Sequence, residues 1–130
     1  MRTFSFFIAF LSLSFSLLAQ GVSDVYVDAT YTDAGANDGH TWGVDAFSTI
    51  GAGITGVSEG GTVHVAAGTY SGYVTIDKTV TLLGPNAGIH PAVGMCPDET
   101  VGERGAEAVI DSGVVKPLAP AIVIDGFTFT

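Results

Sequence analysis

The sequence predicts an all-β chain wound as a parallel solenoid, and two observations carry that reading. The first is the run from Thr62 to Gly84, TVHVAAGTYSGYVTIDKTVTLLG, which packs three short strand signals between tight turns. Val63 and Val65 alternate with Thr62 and His64, Val74 and Ile76 with Tyr73 and Thr75, and Val80 and Leu82 with Thr79 and Thr81. Period-2 alternation sends one set of side chains inward and the other outward. The second is what separates the strands. The breaks at Gly68 and Asp77-Lys78 are too short for a helical crossover, and no type I′ hairpin dipeptide lies between the strands. Such a chain winds around a narrow core instead of folding back into an antiparallel sandwich.

Taken in order, the chain opens with a segment that stands apart. Arg2 is followed by Phe4 to Leu18, all apolar or Ser, and then by the small residue Ala19. This is the pattern of a secretory signal peptide, residues 1–19, cleaved after Ala19. The apolar stretch is shorter than the ~20 residues that cross a bilayer, so no membrane span is expected after cleavage. The expected location is secreted or cell surface. Residues 20–130 then read as one domain or part of one. They keep three basic residues against thirteen acidic ones, a formal charge of −10. That balance argues against nucleic acid and anionic membranes as partners, and mildly against unassisted binding of polyanionic sugars. Cys96 has no second cysteine to pair with and lies among Gly94, Pro97 and Asp98, which suggests a loop thiol.

Val25 to Asp28 is the first expected strand, and Tyr31 to Gly43 a polar, Gly-rich loop. Asp45 to Val57 is the one helical candidate. Phe47, Ile50, Ile54 and Val57 recur at helical spacing, and Asp45 is placed as N-cap. Gly51 and Gly53 weaken this helix by roughly 1 kcal/mol each against Ala, so it needs tertiary support. Glu59 to Gly61 reads as a turn into the strand run. Pro85 to Glu107, rich in Pro, Gly and acidic residues, reads as a protruding loop. Strand character returns at Ala108 to Asp111 and at Ala121 to Ile124. Asp125-Gly126 follows as a turn, and Phe127 and Phe129 then alternate with Thr128 and Thr130. The alternation runs up to the last residue given. Repeat architectures need capping at both ends, so a chain truncated at its C-terminal side is expected.

These residues together carry a resemblance. A Val27-Asp28 strand is followed by an Asn37-Asp38-Gly39 loop and Trp42. Ala46-Phe47-x-Thr49-Ile50 then leads into a helix. After it come Val63, Val65, Gly68, Thr69 and Tyr70, and then Val74, Ile76, Lys78, Leu82 and Gly84. The order resembles the start of secreted right-handed parallel β-helix proteins of the pectin-lyase-like superfamily, and Ile124 to Phe127 resembles a further turn. The resemblance covers about 25–130. It implies an all-β right-handed parallel β-helix with a short N-terminal helix capping the first turn through Phe47, Ile50, Ile54 and Val57. Ser48 and Thr55 would then face solvent. It says little of activity, because one fold hosts many functions.

Pectate lyases of that superfamily use Ca²⁺ held by carboxylates with an Arg or Lys base, and glycoside hydrolases need two carboxyl groups across the scissile bond. Pectin methylesterases share the helix and the strand pattern, yet Gly72 stands where they carry Glu. No catalytic constellation is legible in residues 1–130. Arg104, between Glu103 and Glu107, reads as a solvated ion pair. His40, His64 and His90 lack metal-ligand spacing, and His64 is expected to point outward and lie exposed. Asp28, Asp33, Asn37 and Asp38 lie in or beside one loop. They read either as oxygen ligands of a Ca²⁺ site or as ordinary turn residues. Trp42 and Tyr70 offer rings for stacking on sugars or for packing their own loop and turn. The leading functional expectation is an extracellular β-helix segment with a structural or surface-binding role toward polysaccharide or cell-surface glycan. The alternative is the non-catalytic N-terminal portion of a polysaccharide lyase or pectin esterase.

Overall fold

The computed structural model describes residues 21–89, 104–111, 113 and 115–130. The expected signal peptide, His90 and Cys96 lie outside them, as does Glu103. Among the described residues, ten strands and one α-helix form in the order β1 (Val22–Val27), β2 (Ala46–Phe47), α1 (Ile50–Gly56), β3 (Val57–Val65), β4 (Gly68–Ser71), β5 (Val74–Ile76), β6 (Thr81–Leu83), β7 (Ala108–Asp111), β8 (Val115–Pro117), β9 (Val123–Asp125) and β10 (Phe127–Phe129), with a 3₁₀ turn at Asn37–Gly39. They build three sheets, ordered β2-β1-β3-β6-β9, β10-β7-β4 and β5-β8. Every strand pair is parallel.

The sheet order follows from the short breaks in the sequence. From β3 the chain enters the second sheet at β4 and the third at β5, then returns to the first at β6. It repeats this circuit through β7 and β8, and begins it again with β9 and β10. A connection that returned directly would give an antiparallel hairpin; visiting two other sheets first makes each return parallel. Like positions therefore lie above one another. Val63 pairs with Leu82 and Leu82 with Ile124, while Tyr70 pairs with Ile110 and Ile110 with Phe129.

The alternation sorts side chains as expected. Val63, Val65, Val74, Ile76, Val80 and Leu82 are all buried, and Val25, Val27, Ala108 and Ile110 join them. Tyr73, on the outward phase, is 83 % exposed. Gly68 to Ser71 is a strand in its own right, with Tyr70 inward, so Thr62 to Gly84 holds four strands and not three. The corner at Ala66-Ala67 resets the alternation phase, which is why Tyr70 points in. Glu59 to Gly61 is not a turn between elements but an irregularity inside β3. Val22 pairs with Val57 and Asp24 with Thr62, so the extra residues bulge out of the ladder.

The helix is shorter than expected and starts later. Its N-cap is Thr49, whose Oγ1 accepts from the Ala52 amide at 3.2 Å. Asp45 is not the cap, because its carboxylate is held by the preceding turn. Ala46 and Phe47 are drawn into the first sheet by pairing with Tyr26 and Val27. Ile50 and Ile54 are buried, and α1 packs against β1, β2, β3 and β5. Val57, also buried, belongs to β3.

Candidate functional site

The outer face of the first sheet carries the most organised cluster of chemically active side chains. Tyr26 on β1 is the register partner of His64 on β3, and both point outward. Their rings stack with centroids 4.9 Å apart and planes at 15°. His40 arrives from the loop after the Asn37–Gly39 turn and covers the other face of Tyr26, at 3.8 Å and 20°. Each imidazole has a carboxylate. His40 Nδ1 lies 3.0 Å from Asp45 Oδ2, and His64 Nε2 lies 3.2 Å from Asp24 Oδ1. Asp45 also accepts from the Thr41 amide at 2.6 Å. The His40 contact first, and that amide second, hold its carboxyl below the usual range. Asp24 is lowered in the same direction, first by the Ser23 hydroxyl and then by His64.

The order of these groups decides their chemistry. Ser23 Oγ donates to Asp24 Oδ2 at 2.7 Å, and Asp24 contacts His64. Nucleophilic catalysis needs the imidazole between hydroxyl and carboxylate, so that it takes the proton from the hydroxyl. Here the carboxylate is in the middle. Both faces of the Tyr26 ring are covered, so it offers no plane to a ligand. The cluster acts as a staple that joins β1, β3 and the 40–45 turn.

The residues proposed from sequence are placed differently from one another. Asp28 Oδ1 accepts from the amide and hydroxyl of Thr30, at 2.8 and 2.7 Å. Buried Asn37 pins the loop, its Oδ1 accepting from the Thr32 amide at 3.0 Å and its Nδ2 donating to the Thr32 carbonyl at 2.8 Å. Asp38 accepts from the Tyr31 hydroxyl at 3.0 Å. Burial first, and that carboxylate second, push the Tyr31 hydroxyl up to about 12. Among the described residues no three His, Cys, Asp or Glu side chains are grouped so as to hold a metal ion. Of the residues expected as Ca²⁺ ligands, Asp28, Asn37 and Asp38 bond within their own loop, and Asp33 is exposed beside them.

Tyr70, one of the two rings expected to offer a stacking surface, points into the core. It is 7 % exposed, and its hydroxyl donates to the Ala66 carbonyl at 3.0 Å. Burial pushes that hydroxyl up to about 12. Trp42 keeps 38 % of its surface, on a tight turn in which the Thr41 carbonyl accepts from three amides. Arg104 makes the expected ion pair with Glu107, at 2.9 Å, and also donates to the Ile89 carbonyl. It thereby ties together residues on either side of the 90–103 segment.

The ring stack itself was not legible in the sequence. His40 and Tyr26 meet only through the loop's path, and Tyr26 and His64 only through the β1–β3 register. An outward Tyr and an outward His on successive strands were the available signal. Comparison with family profiles, with curated proteins and with solved structures returned no match.

Proposed function

We propose that this chain folds as a right-handed parallel β-helix that acts outside the cell as a scaffold and glycan-contacting surface. The observation that carries the reading is the repeated circuit through three parallel sheets in constant order. A strand, crossover and parallel strand in one sheet are right-handed in about 98 % of cases, which supports the hand. Ile50 and Ile54, packed over β1, β3 and β5, suit α1 to the role of a cap. The motif residues from Val27 to Gly84 and the leader-like residues 1–19 support an exported member of the pectin-lyase-like group.

A binding role fits the chemistry better than turnover within this stretch. On the outer face of the first sheet the imidazoles and carboxylates are paired with one another. Solvent-facing aromatic surface remains at Trp42 and Tyr73. The test is a titration of purified residues 20–130 with neutral and acidic polysaccharides, followed by affinity electrophoresis and by reducing-end and unsaturated-product assays. Retarded migration without product is expected. Turnover that disappears on substituting a residue within the stretch would place it instead among the lyases or esterases.

A further inference from the structure

A second surface, away from the ring stack, has the features of a ligand site. Between the start of α1 and strands β4 and β5 lies a cup of about 380 Å³. That falls within the ~300–1,000 Å³ range of small-ligand pockets. Among the described residues, no charged side chain lines it. Ser48, Thr69 and Ser71 bring three aliphatic hydroxyls to its wall, and Tyr73 stands at its margin. None of the three hydroxyls has a protein partner among the described residues. Tyr73 is the most exposed of the large hydrophobic side chains described. The neighbouring ring, Tyr70, is buried beneath and gives the cup a firm floor.

The arrangement has a structural origin. Thr69 and Ser71 flank inward Tyr70 on β4, so alternation turns both hydroxyls out on the same face. Among the described residues, strand β4 has β7 on one side and no strand on the other. Tyr73 follows the corner at Gly72 and precedes inward Val74, which throws its ring outward. A hydroxyl array beside one exposed ring complements a molecule with hydroxyls on its edge and C–H groups on its face. A carboxylated ligand would find no cationic partner here, in a chain of formal charge −10.

We propose that this cup binds an uncharged saccharide unit, with Tyr73 stacked on the sugar ring and Ser48, Thr69 and Ser71 hydrogen-bonded to its hydroxyls. The inference rests on the glycan-contacting reading above and adds the place and the charge class. Residues 20–130, ¹⁵N-labelled, are titrated with cellohexaose, xylohexaose, mannohexaose and hexagalacturonate. At least one neutral hexasaccharide is expected to shift amides of 48–51 and 69–74. Tyr73→Ala should weaken its binding about tenfold, a loss of about 1.4 kcal/mol. Thr69→Val with Ser71→Ala should weaken it several-fold. The exposure of Tyr73 means that its variant should keep the wild-type melting temperature, so lost binding reports the cup. Neutral binding that survives Tyr73→Ala but vanishes in Trp42→Ala overturns the cup and leaves the glycan reading standing. Preference for hexagalacturonate at 69–74 overturns the charge class. Absence of binding by all four overturns the cup and the glycan reading together.

Discussion

At the scale of single residues, Gly51 and Gly53 show how position outweighs propensity. A Cβ at Gly53 would lie 2.6 Å from Val27 Cγ2 and 3.2 Å from Val63 Cγ1, whereas one at Gly51 would meet nothing within 4 Å. Gly53 is where the helix backbone rests directly on the core strands. Gly53→Ala is expected to destabilise by about 1–3 kcal/mol through overpacking. Gly51→Ala should stabilise by about 0.5–1 kcal/mol. Equilibrium urea unfolding of both variants checks the opposite signs. The carboxylates make a second residue-scale prediction. Asp24, Asp45 and Glu107 all hold their carboxyls below the ordinary range, Glu107 chiefly through Arg104. A depressed folded-state value means that the unfolded chain binds protons first as pH falls. The associated stability is complete above the unfolded carboxylate values of ~3.9–4.3. It is lost as pH drops through the lower folded ones. Melting temperature should therefore change little from these groups above about pH 5 and fall steeply below about pH 4. Asp45→Asn should start lower and fall less. An acid limb parallel to that of the wild type would remove Asp45 from the account.

At the scale of elements, one side chain links the helix to the strand run. Lys78, in the turn after β5, donates to the carbonyls of Thr55 and Val57 at 3.2 and 3.0 Å. These are acceptors at and just past the C-terminus of α1, the end that favours a cation. Lys78→Met, which keeps the aliphatic stem, should cost about 1 kcal/mol and speed hydrogen exchange in α1 more than in β6. Equal acceleration in both would mean that Lys78 supports the fold generally and not the helix end. The strands with clean alternation, β3, β5, β6 and β7, were legible in the sequence because burial on one face leaves a period-2 trace. Strand β8, Val115–Pro117, was not: it is short, ends in Pro117 and buries little. The helix start was misplaced because Asp45 and Thr49 are both good caps. What chose between them was the pairing of Ala46 and Phe47 with β1, a tertiary event. The same gap hid the ring stack. Outward His64 was expected, but its partner Tyr26 depends on a register that a bulge in β3 sets.

At the scale of the whole molecule, each circuit of the chain leaves a strand edge for the next to pair with, and the last strands keep theirs. Among the described residues, strands β9, β10 and β8 each have a strand on one side only. Beside these edges Val123 is 49 % and Phe129 55 % exposed, although Phe129 occupies the column of buried Tyr70 and Ile110. Unpaired parallel edges recruit further strands, and each large apolar side chain left out forgoes roughly 1.5–3 kcal/mol of burial. The opposing force is charge, since two copies at −10 each repel. That repulsion is screened over ~10 Å at 0.1 M salt and ~3 Å at 1 M, while apolar contact and edge pairing persist. Purified residues 20–130 are therefore expected to self-associate, and to do so more strongly at high salt. Analytical ultracentrifugation at several concentrations in 0.05 and 0.5 M NaCl reads this directly. Val123→Thr with Phe129→Ser leaves the charge unchanged and should abolish most of the association. If the double variant associates as the wild type does, the contact lies elsewhere. If association instead weakens with salt, it is held by charge and not by the open edge.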